Sequence, residues 1–153
     1  MKNIEDANVR INNVQSRGII LKENNVLIMH RIKEGKEYYV FPGGHMREGE
    51  KPLETAIREI EEETTIKAKD MRLAFESTNY IKSKKVLKDY FFVGYWKSGE
   101  PILSGEESRS NDKSNFYEPM WIPIKKISEL TLYPAMAKEW IEEYLEAFLD
   151  NYM

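Results

Sequence analysis

The most informative stretch of the sequence, residues 41–66, reads FPGGHMREGEKPLETAIREIEEETTI. Its first four residues are typical of a turn, because proline presets φ and glycine leaves the backbone free. From Pro52 onward, apolar residues recur at the i, i+3, i+4 and i+7 spacing of a helix: Leu53, Ala56, Ile57 and Ile60. We therefore predict a turn followed by a helix that begins near Pro52 and buries this apolar face.

Three carboxylates share the other side of this helix, since Glu59, Glu62 and Glu63 are at i, i+3 and i+4. Like charges at that spacing repel by roughly a few tenths of a kcal/mol per exposed pair. A hard divalent cation such as Mg²⁺ relieves the repulsion, because it takes oxygen ligands and substrate phosphates. Taken alone, the three glutamates fit a cation site and a solvated acidic face equally well.

Two further residues of the stretch are expected to support these carboxylates. Arg58 is four residues after Glu54 and four before Glu62, so it can hold carboxylates in fixed rotamers. Glu50 precedes the helix and is placed to reach back to Arg58 or to a metal-bound water. Residues 48–63 carry seven Glu against one Lys and one Arg, a local charge of −5, whereas the chain as a whole has −3. The acidity therefore belongs to this stretch.

The complete spacing resembles the Nudix box, Gly-x5-Glu-x7-Arg-Glu-U-x-Glu-Glu-x-Gly-U, in which U is a bulky aliphatic residue. The matching residues are Gly44, Glu50, Arg58, Glu59, Ile60, Glu62, Glu63 and Ile66. One position departs from the pattern, because Thr65 stands where the box has glycine. A glycine just after a helix commonly takes the left-handed conformation that ends it. A β-branched residue there costs on the order of 1–2 kcal/mol, or the helix ends differently.

The resemblance implies a Nudix hydrolase that cleaves the diphosphate of a nucleoside diphosphate linked to another moiety. It implies Mg²⁺, with Mn²⁺ as the alternative ion, held by Glu59, Glu62, Glu63 and the carbonyl of Gly44. Catalytic or supporting roles fall to Glu62, Glu63, Arg58 and Glu50. The general base varies within the family, and the candidates are Glu62, Glu63, Glu106 and Glu107.

Substrate identity is left open by the sequence. Four aromatic residues flank the expected cleft and either stack a base or fill the core: Phe41, Tyr80, Phe116 and Tyr117. Asn115 is placed to read a base edge or to meet only water. Two alternatives share the box: a MutT-like (d)NTP pyrophosphohydrolase, and a non-catalytic Nudix-fold regulator that binds a nucleotide.

The order of elements along the chain predicts an α/β or α+β fold, with a mixed sheet packed between helices; the resemblance implies the Nudix α/β/α sandwich. Residues 1–14 are expected to be a flexible lead-in or an extra edge strand. The predicted strands are 14–21, 26–30, 37–41, 71–80, 86–96 and 120–124. A long polar loop is predicted over 97–115, a helical turn over 127–130, and a second helix from Pro134.

Composition sets the remaining bounds. With 153 residues, 41% of them hydrophobic, the chain suits one domain, which we place at 1–153. There is no cysteine, which excludes disulfides and thiolate metal sites. No apolar run approaches the ~18 residues of a membrane helix, and the start lacks the apolar core of a signal peptide. We expect a cytoplasmic protein with a small nucleotide as its partner and no affinity for membranes or duplex nucleic acid; the family suggests a homodimer.

Overall fold

A computed structural model describes residues 13–81, 85–104 and 114–151, with only the backbone described at 80, 81, 85 and 86. Eight strands, two α-helices and one 3-10 helix occur within these ranges. They are β1 (Val14–Lys22), β2 (Asn25–Lys33), β3 (Lys36–Val40), β4 (Gly43–His45), α1 (Pro52–Thr64), β5 (Lys67–Ile81), β6 (Lys85–Ser98), β7 (Asn115–Pro123), a 3-10 helix (Ile124–Glu129), β8 (Leu132–Tyr133) and α2 (Ala135–Asp150).

The strands form one mixed sheet, in the order β5-β6-β1-β2-β3-β8. β1 and β6 pair in parallel, with Gln15 opposite Asp89, whereas β1 and β2 form an antiparallel hairpin. Strand β7 pairs with β2 along its whole length, and β4 pairs with β1. The predicted mixed sheet is confirmed.

The sheet splits between β1 and β2. These strands pair only beside their turn, where Leu21 faces Val26. Further along, β2 pairs with β3, while β1 pairs with β4, with Arg17 opposite Gly43. The segment that joins β3 to β4 is thereby inserted between the separated strands, and the split opens a cleft in the sheet.

One helix packs on each face of the sheet, which confirms the predicted α/β/α sandwich. Side chains of β1 alternate between the two cores, as the period of a strand requires. Ile20 joins Ala56 and Ile60 of α1 in one core. Ile19 joins Ile141 of α2 in the other. The glycine at position 18 allows close packing of α1, because a Cβ there would collide with the side chain of Ile60.

The buried face of α1 differs from the predicted one. Ala56 and Ile60 are fully buried as expected, but Leu53 and Ile57 are 36% and 40% exposed. Thr55, Glu63 and Thr64 are buried instead. The helix is therefore rotated toward its acidic side, because Arg58 and Glu59 are held against the loop and strand that precede it.

Of the two alternatives stated for Thr65, the structure has the left-handed one. This residue has φ 64° and ψ 1°, the left-handed conformation, and its N–H donates to the carbonyl of Glu61. Its hydroxyl donates to the carbonyl of Glu100 at 2.6 Å. Thr65 therefore ends the helix as a glycine would, and adds a bond that glycine lacks.

Several other predictions changed in detail. The predicted turn at 41–44 runs into a three-residue strand, β4, and the two-residue strand β8 was also not predicted. Both strands are too short to show the alternation of apolar and polar residues by which a strand is predicted. Strand β5 begins at Lys67, four residues before the predicted start, and β7 begins at Asn115, inside the predicted loop. The predicted lead-in at 1–14 lies almost wholly outside the described residues. No helix among the described residues is long and apolar enough to cross a membrane.

Candidate active site

A cleft of about 650 Å³ lies where β1 and β2 separate. This is within the size range of small-molecule sites. Acidic residues of α1 and arginines of the sheet and of the loop after β4 line it together. The lining residues are Gln15, Arg17, Met29, Arg31, Val40, Phe41, Gly43, Gly44, His45, Arg47, Glu59, Glu62, Glu63 and Tyr117.

Arg58 connects the acidic residues of the Nudix-like stretch. Its Nε and Nη2 donate to the two oxygens of Glu50, at 2.6 and 2.9 Å. Its Nη1 donates to Glu59 at 2.8 Å and to Glu62 at 3.2 Å. Nη2 also donates to the carbonyl of His45. The predicted contacts of Arg58 with Glu50 and Glu62 are therefore present, and Glu54 instead accepts a bond from the N–H of Lys51.

These contacts shift the pKa of both Glu50 and Arg58 so that each side chain keeps its charge. The hydrogen bond from Arg58 lowers the pKa of Glu50 to about 2, and bonds from the N–H of Arg47 and the hydroxyl of Thr55 act in the same direction. The hydrogen bond to Glu50 is also the main cause that raises the pKa of Arg58. Glu50 is thus an ionised anchor for Arg58 at neutral pH.

Glu59 lies against β4, at Gly44. A Cβ placed on Gly44 would lie 2.5 Å from the carboxyl carbon of Glu59 and 2.6 Å from its Oε2. Only glycine at position 44 leaves room for this carboxylate. Because Oε1 of Glu59 accepts from Arg58, Oε2 is the oxygen that faces the Gly44 backbone.

The other two acidic residues of the predicted metal set differ in exposure. Glu63 is buried, with 9% of its surface exposed, whereas the side chain of Glu62 is 46% exposed and lies 3.7 Å from Arg47. Within the described residues, no three acidic or histidine side chains are already grouped closely enough to hold a metal ion. The reason is visible in the contacts, because Glu59 and Glu62 are both turned toward Arg58.

The donor set nevertheless has the chemistry that Mg²⁺ requires. All the candidate donors are hard oxygens, from three carboxylates and one backbone carbonyl. The space beside Gly44 that admits the Glu59 carboxylate is the feature of the fold that suits such a group.

Two of the predicted substrate-binding residues lie beside an arginine of the cleft. The guanidinium carbon of Arg31 is 4.1 Å from the ring centroid of Tyr117. Nη2 of Arg31 donates to Asn115 at 3.0 Å, and Nη1 donates to the hydroxyl of Tyr38 at 2.7 Å. Tyr117 lines the cleft, while Asn115 contacts Arg31 within the sheet.

The other predicted substrate-binding residues are placed differently. Phe41 is 1% exposed and packs edge-on against Phe91, so its ring fills the core. Phe116 packs edge-on against His30 at 5.7 Å. Tyr80 lies in β5, and its side chain is outside the described set, as are the candidate bases Glu106 and Glu107.

Four residues of this region were missed from the sequence: Arg17, Arg31, His45 and Asp89. Arg17 shares a strand face with Gln15, and both lie in the polar first half of β1, before the apolar residues 19–21, which was a usable signal for a polar site. Asp89 lies on β6, and only the parallel register with β1 brings it near Arg17. Because Asp89 and Arg17 are 72 residues apart in the chain, no local sequence pattern could have predicted that they lie close together.

Comparison with known proteins defines the class of this chain. A protein-family model for the NUDIX domain matches residues 13–145. The chain therefore belongs to the Nudix family, and Nudix hydrolase is the class of protein that its fold and acidic cleft define. Among solved structures, a NUDIX hydrolase from Nitrosomonas europaea has a TM-score of 0.68, with 21% identity over 88% of this chain and 89% of that one. At that identity the likeness bears on the fold.

Two curated relatives carry a more specific name. An RNA pyrophosphohydrolase of Psychromonas ingrahamii is 28% identical over 92 residues, which are 60% of this chain and 49% of that protein. An RNA pyrophosphohydrolase of Pelagibacter ubique is 26% identical over 122 residues, which are 74% of this chain and 77% of that protein. The match thus spans about half the length of the first relative and about three quarters of the second.

Proposed function

We propose that the chain is a Mg²⁺-dependent pyrophosphohydrolase that cleaves the diphosphate of a nucleoside diphosphate linked to another moiety. The observation that supports this best is the composition of the cleft. Carboxylates of Glu59, Glu62 and Glu63 line it together with Gly44 and with arginines that suit phosphate oxygens.

The ligands proposed for the ion are Glu59, Glu62, Glu63 and the Gly44 carbonyl, with Mn²⁺ as the alternative ion. When bound, Mg²⁺ supplies positive charge that offsets the charge of the phosphates and polarises the reacting groups. Glu59 is held in its rotamer by Arg58 through one oxygen, which leaves the oxygen beside Gly44 for this role. Glu62 has to turn away from Arg58 to take part.

Arg58 and Glu50 have supporting roles in this proposal. Their bidentate pair joins the loop before α1 to the helix, with both side chains only 17% exposed. Because Arg58 also contacts Glu59, it limits the rotamers of this proposed ligand before substrate arrives. Such preorganisation reduces the reorganisation needed during the reaction.

The proposed reaction is the addition of water across a phosphoric anhydride. Water attacks one phosphorus atom, the bond from that atom to the bridging oxygen breaks, and the bridging oxygen leaves with the other product. One proton of the water passes to a general base, for which Glu62 and Glu63 are the candidates within the described residues. Glu106 and Glu107 remain predictions.

A second candidate substrate is a triphosphate end, either of a (d)NTP or of an RNA. The names of the two relatives favour it, since both are RNA pyrophosphohydrolases. Three arginines in the cleft also suit a longer phosphate chain: Arg17, Arg31 and Arg47. Both candidate substrates would be hydrolysed at a phosphoric anhydride by the same residues of the box. They differ only in the group attached beyond the cleaved bond.

The test is product release from a panel of NDP-sugars, ADP-ribose, (d)NTPs and a 5′-triphosphorylated RNA oligonucleotide, with Mg²⁺ or with EDTA. The parent chain is compared with Glu63→Gln and with Glu61→Gln. Glu61 is the matched control, because it lies on the same helix with its side chain 47% exposed and 3.9 Å from Lys67.

We expect turnover of one substrate class that requires the metal, falls at least ~100-fold in Glu63→Gln and is retained in Glu61→Gln. Equal loss in both variants, or turnover that EDTA does not affect, would contradict the proposal. Nucleotide binding without any turnover would point to the non-catalytic regulator instead.

A further inference from the structure

The three arginines that line the cleft are not equivalent. Arg47 is 65% exposed and lies beside Glu62. Both terminal nitrogens of Arg31 donate hydrogen bonds, to Tyr38 and Asn115, and one face of its guanidinium lies on the ring of Tyr117. Arg17 is only 24% exposed and is held from several sides.

The guanidinium of Arg17 is oriented by three neighbours. Nη1 donates to the carbonyl of Phe41 at 3.1 Å, and Nη2 donates to Oε1 of Gln15 at 2.5 Å. Nε lies 3.8 Å from Oδ1 of Asp89. A guanidinium has five N–H donors, so these contacts leave one N–H on each terminal nitrogen. An arginine that keeps a donor on both terminal nitrogens can bind a phosphate through two oxygens.

Arg17 also packs against β4, the strand that carries the proposed ligand Gly44. A Cβ on the preceding Gly43 would lie 2.6 Å from Cα and 2.8 Å from Cγ of Arg17. The arginine and the Glu59 carboxylate are therefore packed against successive residues of β4. A phosphate chain in the cleft would meet both.

Asp89 is one of several buried groups among the described residues that call for an explanation, and Nε of Arg31 is another. It is 6% exposed, and its Oδ1 has no hydrogen-bond partner within the described residues. A buried polar atom without a partner is costly and calls for an explanation. Burial raises the pKa of Asp89, while the charge of Arg17, and then of His45, acts in the opposite direction. The charged group that faces the unpartnered oxygen is Arg17.

We propose that Arg17 binds a phosphate of the substrate and that Asp89 is a positioning residue, which holds the guanidinium from behind. The inference rests on the proposed function for the choice of a phosphate chain as ligand. It adds to that function a phosphate subsite on β1, outside the Nudix-like stretch. In this role Asp89 acts only through Arg17.

The first test measures the affinity of inorganic pyrophosphate in Mg²⁺ by calorimetry for the parent, Arg17→Gln, Arg17→Lys and Arg72→Gln. Arg72 is the matched control, because it is an exposed arginine on β5 that does not line the cleft. We expect affinity to fall at least tenfold in Arg17→Gln and several-fold in Arg17→Lys, which keeps the charge without the planar fork. Arg72→Gln should remain within twofold of the parent.

The second test is a double-mutant cycle with Asp89→Asn. We expect this variant alone to bind pyrophosphate several-fold more weakly, and the double variant Arg17→Gln/Asp89→Asn to bind as Arg17→Gln does. On a substrate that is turned over, the same variants should raise KM more than they lower kcat. Thermal unfolding checks each fold; if Arg17→Gln does not fold, Arg17→Lys takes its place in the cycle.

The inference would be overturned if the folded Arg17 variants bound pyrophosphate as the parent does, or if the parent did not bind it. It would also be overturned if the losses of affinity in the two single variants multiplied in the double variant. These outcomes are separable from the test of function. If turnover were lost in Glu63→Gln but unchanged in Arg17→Gln, the proposed function would be supported and the phosphate subsite would not. If the chain turned over no substrate but bound pyrophosphate in an Arg17-dependent way, the phosphate subsite would be supported and the proposed function would not.

Discussion

Two adjacent glycines in β4 illustrate how single residues shape the site. A Cβ on Gly44 would meet the carboxylate of Glu59, which is the movable end of a side chain. A Cβ on Gly43 would collide with the backbone oxygen of Ser16 and approach the Cα of Arg17. The first clash displaces one carboxylate, whereas the second requires β1 and β4 to separate.

The two glycines should therefore respond differently to alanine. We expect Gly44→Ala to lose at least ~tenfold in kcat/KM while its free energy of unfolding stays within about 1 kcal/mol of the parent. Gly43→Ala should lose about 1–3 kcal/mol or more of stability, because backbone atoms have to move. Urea unfolding and steady-state kinetics of both variants check this. A fully active Gly44→Ala would show that the position of Glu59 is unimportant.

At the scale of an element, the end of α1 is held by the segment that follows β6. The N–H groups of Ile102 and Ser104 donate to the carbonyls of Thr64 and Glu63, at 3.0 and 2.9 Å. The hydroxyl of Ser104 donates to the carbonyl of Glu62. Carbonyls in the last turn of a helix need such partners. The backbone of two proposed ligands, Glu62 and Glu63, is thereby tied to residues 102–104.

Thr65 contributes to the same junction, and two substitutions separate its effects. Thr65→Val keeps a β-branched residue in the left-handed conformation but removes the bond to Glu100. We expect it to lose about 1 kcal/mol of stability in urea unfolding. Thr65→Gly removes the strain of about 1–2 kcal/mol but loses the same bond and adds freedom to the unfolded chain, so it should lie closer to the parent. If Thr65→Val were as stable as the parent, the bond to Glu100 would contribute nothing.

At the scale of the whole molecule, an ion pair joins two layers of the sandwich. Arg58 on α1 binds Glu50 in the preceding loop and the carbonyl of His45 at the end of β4. Glu50 ionises with a pKa of about 2, below its ordinary value of 4.5. Its contribution to stability is therefore complete above about pH 4.5 and is lost as pH falls toward 2.

We expect Glu50→Gln to be less stable than the parent at pH 7, by at most about 3 kcal/mol. The difference should shrink as pH is lowered from 5 toward 2, because protonation removes the charge in the parent as well. Urea unfolding across this range measures it. The control is Glu48→Gln, an exposed residue of the same loop. A difference that does not change with pH would mean that Glu50 stabilises the fold without its charge.

The sequence by itself determined the elements and chemistry that depend on neighbours along the chain. The box residues and the start of α1 at Pro52 follow from spacing within a few turns of one helix, whereas the conformation of Thr65 was left open. The contact between Glu50 and Arg58 also spans only eight residues. Local spacing carries such information because helix geometry places these residues together without help from the rest of the fold.

The tertiary structure decided which residues from separate strands meet. Arg17, Arg31 and Asp89 converge because β1 pairs with β6, splits from β2 and admits β4. The same packing turned Leu53 outward and buried Glu63, against the apolar periodicity of α1. Strand register over long separations, and the rotation of a helix against a sheet, depend on the free energy of the assembled core. No local pattern in the sequence records them.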